Sequence, residues 1–139
     1  MQTIVKANGA DIPALGFGTF RMPGNEVLDI VPQALRLGFR HVDTAQIYGN
    51  EAEVGTAIQD SGVSRSDIFL TTKVWVDKYA RGSFRASVEE SLQKLKTDYG
   101  VISVNAGKYF AVKGSIGNTS WNYICLVPYG HISATLNFT

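Results

Sequence analysis

The sequence predicts an α/β fold in which parallel strands alternate with three helices and a β-rich segment follows. Apolar runs typical of strands alternate with stretches of helical periodicity as far as about residue 98. The stretches between the runs are long enough for right-handed crossovers, which join parallel strands. After Tyr99 the helical periodicity stops, and short β-prone pieces separated by turn residues take its place.

Length and composition are those of one ordinary domain. The chain has 139 residues, of which 45% are apolar, and a formal net charge of +1. Dispersed charge gives no surface for nucleic acid or for an anionic membrane, and no apolar run is long enough for a membrane span. The single cysteine, Cys125, rules out an internal disulfide, and we expect it to be a small buried residue. These features favour a cytoplasmic protein.

The N-terminus predicts a β-hairpin. Residues 3–6 form a short strand, Asn8-Gly9 is a turn signal, and a returning strand ends at Pro13. The glycine-rich run 14–20 follows as a strand that another backbone or a ligand could approach closely. Its Gly16-Phe17-Gly18 lacks the third glycine and the helix of a dinucleotide fingerprint, so it is a weak cofactor signal.

The stretch 25–37 predicts the first helix. Its apolar residues recur at helical spacing, and Gly38 supplies the left-handed residue that ends it. Because proline disrupts a helix interior, Pro32 predicts that the regular helix begins only near Asp29 or Ile30.

Residues 39–44 predict the next strand, and a second helix follows. Asn50 is predicted to cap that helix, Glu51 and Glu53 lie in its acidic first turn, and the helix runs to about Gln59.

Residues 68–74 predict a third strand, and a third helix follows with Ser83 as its cap. Val88, Leu92 and Leu95 lie at i, i+4 and i+7 and are expected to face the sheet.

The character of the sequence changes at Tyr99. All 12 acidic residues lie at or before Asp98, whereas the 41 residues from Tyr99 to Thr139 contain none. Four β-prone pieces, which we expect to form antiparallel strands or hairpins, are Val101–Val104, Tyr109–Val112, Tyr123–Val127 and Ile132–Leu136. An uncharged segment of this kind needs its edges covered, either by the first 99 residues or by another copy of the chain.

Three polar side chains follow strand ends and form the candidate site. Asp43 lies in the second strand of the alternating pattern, Tyr48 follows it, and Lys73 lies near the end of the next strand. An ammonium group stabilises a nearby phenolate, which helps a phenol, with its free pKa of about 10, to act as an acid near neutrality. The alternative is that the three are ordinary polar groups at strand ends.

Residues 1–99 resemble the N-terminal part of the aldo-keto reductases, in particular the bacterial diketogluconate reductases. The motifs that carry the resemblance are Leu15–Phe20, Gly38–Ala45, Tyr48–Glu51, Thr71–Trp75 and Ser87–Leu92. The resemblance implies half of a (β/α)8 barrel, with three to four parallel strands and three helices, completed here by the β-rich segment. It also implies that Tyr48 is the proton donor in NADPH-dependent carbonyl reduction, Lys73 the cation beside it and Asp43 the carboxylate that holds the lysine.

The resemblance ends near residue 99. The family's substrate-orienting histidine would fall on Ala106, and His131 is a weak substitute for it. A barrel of this type needs about 250 residues, and the family's nicotinamide and phosphate contacts lie in its later strands. We therefore expect the three site residues to be vestigial, with no bound cofactor and no metal.

Three explanations of the joint at Tyr99-Gly100 remain open. The first, which we favour, is an engineered chimera in which residues 1–99 and the foreign segment 100–139 form one folded unit. The second is a truncated or frame-shifted reductase, and the third is a small working enzyme. The expectation is thus a folded, catalytically inactive domain that self-associates as a dimer or higher oligomer. The alternative is an NADPH-dependent carbonyl reductase acting on small aldehydes or ketones.

Overall fold

The fold is described by a computed structural model that covers residues 3–7, 10–78, 80–104, 109–113 and 122–126. The strands within these residues are β1 (Ile4–Ala7), β2 (Ala10–Pro13), β3 (Phe17–Gly18), β4 (His41–Asp43), β5 (Phe69–Val74), β6 (Val101–Val104), β7 (Tyr109–Lys113) and β8 (Asn122–Leu126). The α-helices are α1 (Gly24–Arg36), α2 (Glu51–Asp60) and α3 (Arg81–Lys94), and short 3-10 helices lie at Gln46–Tyr48, Arg65–Asp67 and Val76–Lys78.

The central sheet is parallel, with the strand order β3-β4-β5-β6. Its crossovers contain α1, α2 and α3, as the alternation in the sequence predicted. β1 and β2 pair antiparallel, which confirms the leading hairpin, and β7 and β8 also pair antiparallel. The parallel sheet therefore brings the carboxyl ends of its strands to one edge.

The expectation of antiparallel pairing is wrong for Val101–Val104. This strand pairs parallel with β5, with Thr71 opposite Val101 and Val74 opposite Val104. The reason is topological, because α3 returns the chain to the unpaired edge of β5 in the same direction as the preceding strands. The parallel sheet thus extends past residue 99, where the sequence predicted a boundary. Ile132–Leu136, Ala106 and His131 lie outside the described residues.

The predicted late start of the first helix is also wrong. α1 begins at Gly24, and the bond from the Val27 N–H to the Pro23 carbonyl (3.0 Å) starts its ladder. Pro32 lies inside the helix and is buried, so packing of its ring offsets the missing N–H. Gly38, with φ of +103°, follows the end of the helix as predicted.

The core lies between the helices and one face of the sheet. α1 buries Val27, Val31 and Leu35 with no exposed area, and α3 buries Val88, Leu92 and Leu95 to 3% exposure or less, as their spacing predicted. Each such side chain contributes about 1.5–3 kcal/mol by leaving water.

Strand β5 shows how the two faces of the sheet differ. Leu70, Thr72 and Val74 are buried under the helices, whereas Phe69, Thr71 and Lys73 alternate with them and are half-buried on the opposite face. Period-two alternation therefore places Lys73 on the face that would line a barrel interior. In the part of the chain that the structure describes, no helix has the length and apolar character needed to cross a membrane.

Candidate active site

Asp43, Tyr48 and Lys73 come together at the carboxyl edge of the sheet. Lys73 Nζ donates to Asp43 Oδ1 at 2.5 Å and to the Thr44 carbonyl at 3.1 Å. It also lies 5.3 Å from the centroid of the Tyr48 ring. The Lys73 side chain is 17% exposed and that of Asp43 is 34% exposed, so the ion pair is only partly screened by water.

The backbone around this edge explains why the three side chains meet. β4 and β5 are parallel neighbours, and Thr44 N–H extends their ladder by donating to the Thr71 carbonyl at 2.8 Å. Tyr48 is carried by the 3-10 helix Gln46–Tyr48, which ends at Gly49 with φ of +69°. Gly49 turns the chain toward α2, and glycine adopts this left-handed conformation without strain.

An aromatic side chain from the neighbouring loop borders the site. The Phe20 ring lies 5.0 Å from the Tyr48 ring, and Phe20 is 60% exposed. The Arg21 guanidinium lies over the Phe20 ring, 5.0 Å from its centroid. The site is therefore open to solvent beside Phe20.

The predicted cap, Asn50, serves a different purpose. It occupies the N-cap position of α2, but its side chain makes no capping hydrogen bond. Its Nδ2 donates to the carbonyls of Thr19 (2.9 Å) and Met22 (3.1 Å), and its Oδ1 accepts from the Thr44 hydroxyl at 3.0 Å. The Asn50 amide, 2% exposed, therefore ties the loop that carries Phe20 to the end of β4.

Ser83 is likewise not a cap. α3 begins at Arg81 after Ala80, so Ser83 lies in its first turn and its hydroxyl donates to the Ala80 carbonyl at 3.1 Å.

A buried carboxylate lies beneath the turn that carries Tyr48. Glu51 is 3% exposed, and its two oxygens accept from the hydroxyls of Thr72 (2.5 Å) and Ser91 (3.3 Å). Burial raises the pKa of the Glu51 carboxyl above its ordinary value of 4.5, and these hydroxyls and Lys94 offset that rise only in part. The sequence carried a signal for this burial, because Glu51 shares the helix face of Val54 and Ile58 at i+3 and i+7.

Replacing Glu51 with glutamine should remove one component of the pH dependence of stability. Since the folded-state pKa is raised, the contribution of Glu51 is fully present below pH 4.5 and is lost as the pH rises through the raised value. One proton gives a slope of at most about 1.4 kcal/mol per pH unit. Urea unfolding of both proteins should be measured from pH 4 to pH 8. The unfolding free energy of the native protein should fall relative to that of Glu51→Gln as the pH rises.

Glu90→Gln is the matched control, and its effect on stability should change with pH in the opposite direction. The hydrogen bond from Lys94 lowers the pKa of Glu90, so its contribution is present above pH 4.5 and is lost as the pH falls. A difference between the native protein and Glu51→Gln that stays constant over the whole range would contradict the role given to the buried carboxylate.

Comparisons with known proteins identify the family. The model of the aldo/keto reductase family matches residues 14–101, which is more than half of the chain. The chain belongs to the aldo/keto reductase family. All three candidate site residues lie within the matched segment.

Relatives and solved structures agree with this membership. The chain is 54% identical over 88 residues to methylglyoxal reductase DkgB of Yersinia pestis, a match that covers 63% of this chain and 33% of the relative. It is 47% identical over 97 residues to aldehyde reductase YPR1 of Saccharomyces cerevisiae, covering 70% of this chain and 30% of that protein. A crystal structure of an aldo/keto reductase from Brucella melitensis is 44% identical with a TM-score of 0.71, over 75% of this chain and 41% of that one. The chain thus spans about a third of the length of these curated reductases.

Three positions among the described residues are unfavourable for the phosphates of a dinucleotide: Lys73 and the starts of α1 and α2. NADPH carries several phosphate charges, which bind best to cations and to free helix N-termini. Lys73, however, is paired with Asp43, and the first turns of α1 and α2 carry Glu26, Glu51 and Glu53. At these positions the described residues do not supply a site for the phosphate-bearing part of NADPH.

Proposed function

We propose that this chain carries the proton-donating part of a carbonyl-reducing site. Tyr48 is the acid, Lys73 stabilises the phenolate left after proton transfer, and Asp43 holds the lysine. The observation that carries the proposal is the placement of Lys73 Nζ, 2.5 Å from Asp43 and 5.3 Å from the Tyr48 ring centroid.

The geometry favours this reading over a purely structural ion pair. A surface pair contributes little to stability, and Lys73 could reach its carboxylate without lying over an aromatic ring. Here the ammonium contacts the carboxylate and also lies over the Tyr48 ring, where its positive charge favours a phenolate. Phe20, whose ring contacts that of Tyr48, is 60% exposed, so this side of the site faces the solvent from which a small carbonyl compound would come.

The second part of the proposal is that the 139 residues do not reduce carbonyls by themselves. Supporting this part, Lys73 is already paired with Asp43, the first turns of α1 and α2 are acidic, and the matched reductases are about three times as long as the matched segment. The substrate class, by similarity to a methylglyoxal reductase, is small aldehydes and ketones.

A hybrid enzyme tests whether Tyr48 is the acid. Residues 14–101 would replace the corresponding segment of the Yersinia pestis reductase, and NADPH oxidation with methylglyoxal would be followed. The hybrid should be active, and Tyr48→Phe should lower kcat by about 10²–10⁴-fold because phenylalanine has no proton to donate.

Tyr99→Phe is the matched control, since Tyr99 contacts Arg65, away from the carboxyl edge. An active hybrid whose rate survives Tyr48→Phe would refute the acid assignment.

The 139-residue chain, titrated with NADPH by tryptophan fluorescence, should show no saturable binding up to millimolar cofactor. Micromolar binding together with methylglyoxal turnover would instead establish the working reductase.

A further inference from the structure

A polar cluster lies behind the turn that carries Tyr48, on the helix side of the sheet. It consists of Gln46, Glu51, Thr72, Ser87 and Ser91, and we call it the polar clamp. Four of its members are 5% exposed or less: Glu51, Thr72, Ser87 and Ser91. Burying this many polar groups is costly unless each is hydrogen-bonded, and the clamp satisfies them internally.

Gln46 is the centre of the clamp. Its Nε2 donates to the carbonyl of Ser87 (3.0 Å) and to the hydroxyls of Ser87 (3.1 Å) and Ser91 (3.0 Å). Its Oε1 accepts from the Trp75 backbone N–H at 3.0 Å. One side chain thus joins the 3-10 helix of Tyr48 to α3 and to the residue that follows β5.

Glu51 forms the second set of hydrogen bonds in the clamp. Ser91 shares its hydroxyl between Gln46 and Glu51, and the Thr72 hydroxyl donates to the second carboxylate oxygen. The clamp therefore holds the chain two residues before Tyr48 and three residues after it. Near β5, Glu51 bonds to Thr72, which precedes Lys73 in the chain, and Gln46 bonds to Trp75, which follows Lys73.

We propose that Gln46 and Glu51 are positioning residues that set the separation of Tyr48 from Lys73. This inference rests on the proposed function, since it concerns the geometry of that acid. Neither side chain touches the reacting groups. They act by fixing the backbone around Tyr48 to strand β5, which carries Lys73.

This segment is packed only in part, since Ile47 is 52% exposed. A cavity of about 280 Å³ lies against the clamp and is lined in part by Gln46, Ile47 and Ser91. Close-packed apolar contacts would hold a turn without directional bonds. Beside an open cavity, hydrogen bonds from a planar amide and a carboxylate provide the position instead.

The test uses the 139-residue chain labelled with 3-fluorotyrosine and measured by ¹⁹F NMR at pH 7.5. The chain contains 6 tyrosines, and the Tyr48 signal is assigned as the one lost in Tyr48→Phe. Lys73→Met should shift that signal, because it removes the charge over the ring. Gln46→Leu and Glu51→Leu should shift it by a comparable amount, whereas Glu51→Gln, which keeps shape and one acceptor, should restore most of the native position.

Two further variants separate positioning from loss of stability. Ile58→Val shortens a buried side chain of the same helix, away from the clamp, and should lower Tm without moving the Tyr48 signal. Ser91→Ala removes only the shared hydroxyl and should move the signal less, which keeps the test available if the leucine variants do not fold.

The outcomes distinguish the two proposals. A Tyr48 signal that moves in Lys73→Met but not in Gln46→Leu, Glu51→Leu or Ser91→Ala overturns the positioning role and leaves the acid site intact. A signal that does not respond to Lys73→Met shows that the two residues are not neighbours in solution and overturns both.

Discussion

Replacing Gly55 with alanine should destabilise the protein by about 2 kcal/mol, although alanine is the better helix former by about 1 kcal/mol. Gly55 lies in α2 where this helix meets the end of α3. A Cβ added there would lie 2.6 Å from the carbonyl carbon of Leu95 and from the Lys94 oxygen. Both are backbone atoms, so no side-chain rotation relieves the overlap and the helices must move apart. Urea unfolding should show the loss, together with a decrease in Tm of roughly 8 °C.

Gly82→Ala provides the matched control. Gly82 is also helical, and a Cβ added there meets nothing within 4 Å. Only the helix propensity then changes, so this variant should be neutral or more stable by up to about 1 kcal/mol. Equal effects of the two substitutions would show that α2 and the end of α3 are not in close contact at Gly55.

Much of this architecture follows from local patterns in the sequence. Helical spacing identified the buried residues of α3, and Gly38 marked the end of α1, because both effects depend on neighbours a few residues apart. The meeting of Asp43 with Lys73 did not follow from local patterns and was implied only by the family resemblance. In the structure, the parallel pairing of β4 with β5 brings the two side chains to one edge. The membership of residues 14–101 in the aldo/keto reductase family agrees with the resemblance seen in the sequence.

What local patterns missed depends on distant partners. Asn50 in a cap position predicts that its Oδ1 accepts a bond from the first turn of α2. That oxygen instead accepts from the Thr44 hydroxyl, and Nδ2 donates to carbonyls about 30 residues earlier in the chain. Gln46 has no local signature, because its partners on α3 lie 41 and 45 residues away. β-propensity marked Val101–Val104 as a strand without giving its direction, which the crossover through α3 sets. The packing of residues 100–139 as a covering segment and the self-association of the chain remain predictions.

Replacing Asn50 with aspartate should cost about 3–4 kcal/mol at pH 8. The amide is 2% exposed and donates to the carbonyls of Thr19 and Met22. A carboxylate cannot donate, and its charge would face two carbonyl oxygens in a buried site. The loop that carries Phe20 should lose its attachment to the end of β4. Chemical unfolding measures the loss of stability, and faster proteolysis near residues 19–22 would report the detached loop.

The pH dependence of the same variant separates lost hydrogen bonds from a buried charge. Protonation of the introduced carboxyl restores one donor and removes the charge, so the defect should be smaller at pH 4 than at pH 8. Asn25→Asp makes the same chemical change at an exposed position in the first turn of α1, where a negative charge interacts favourably with the helix dipole. That control should be neutral or slightly more stable at both pH values. If Asn50→Asp behaved like Asn25→Asp, the side chain of Asn50 would face solvent, and the attachment of the Phe20 loop beside Tyr48 would need another explanation.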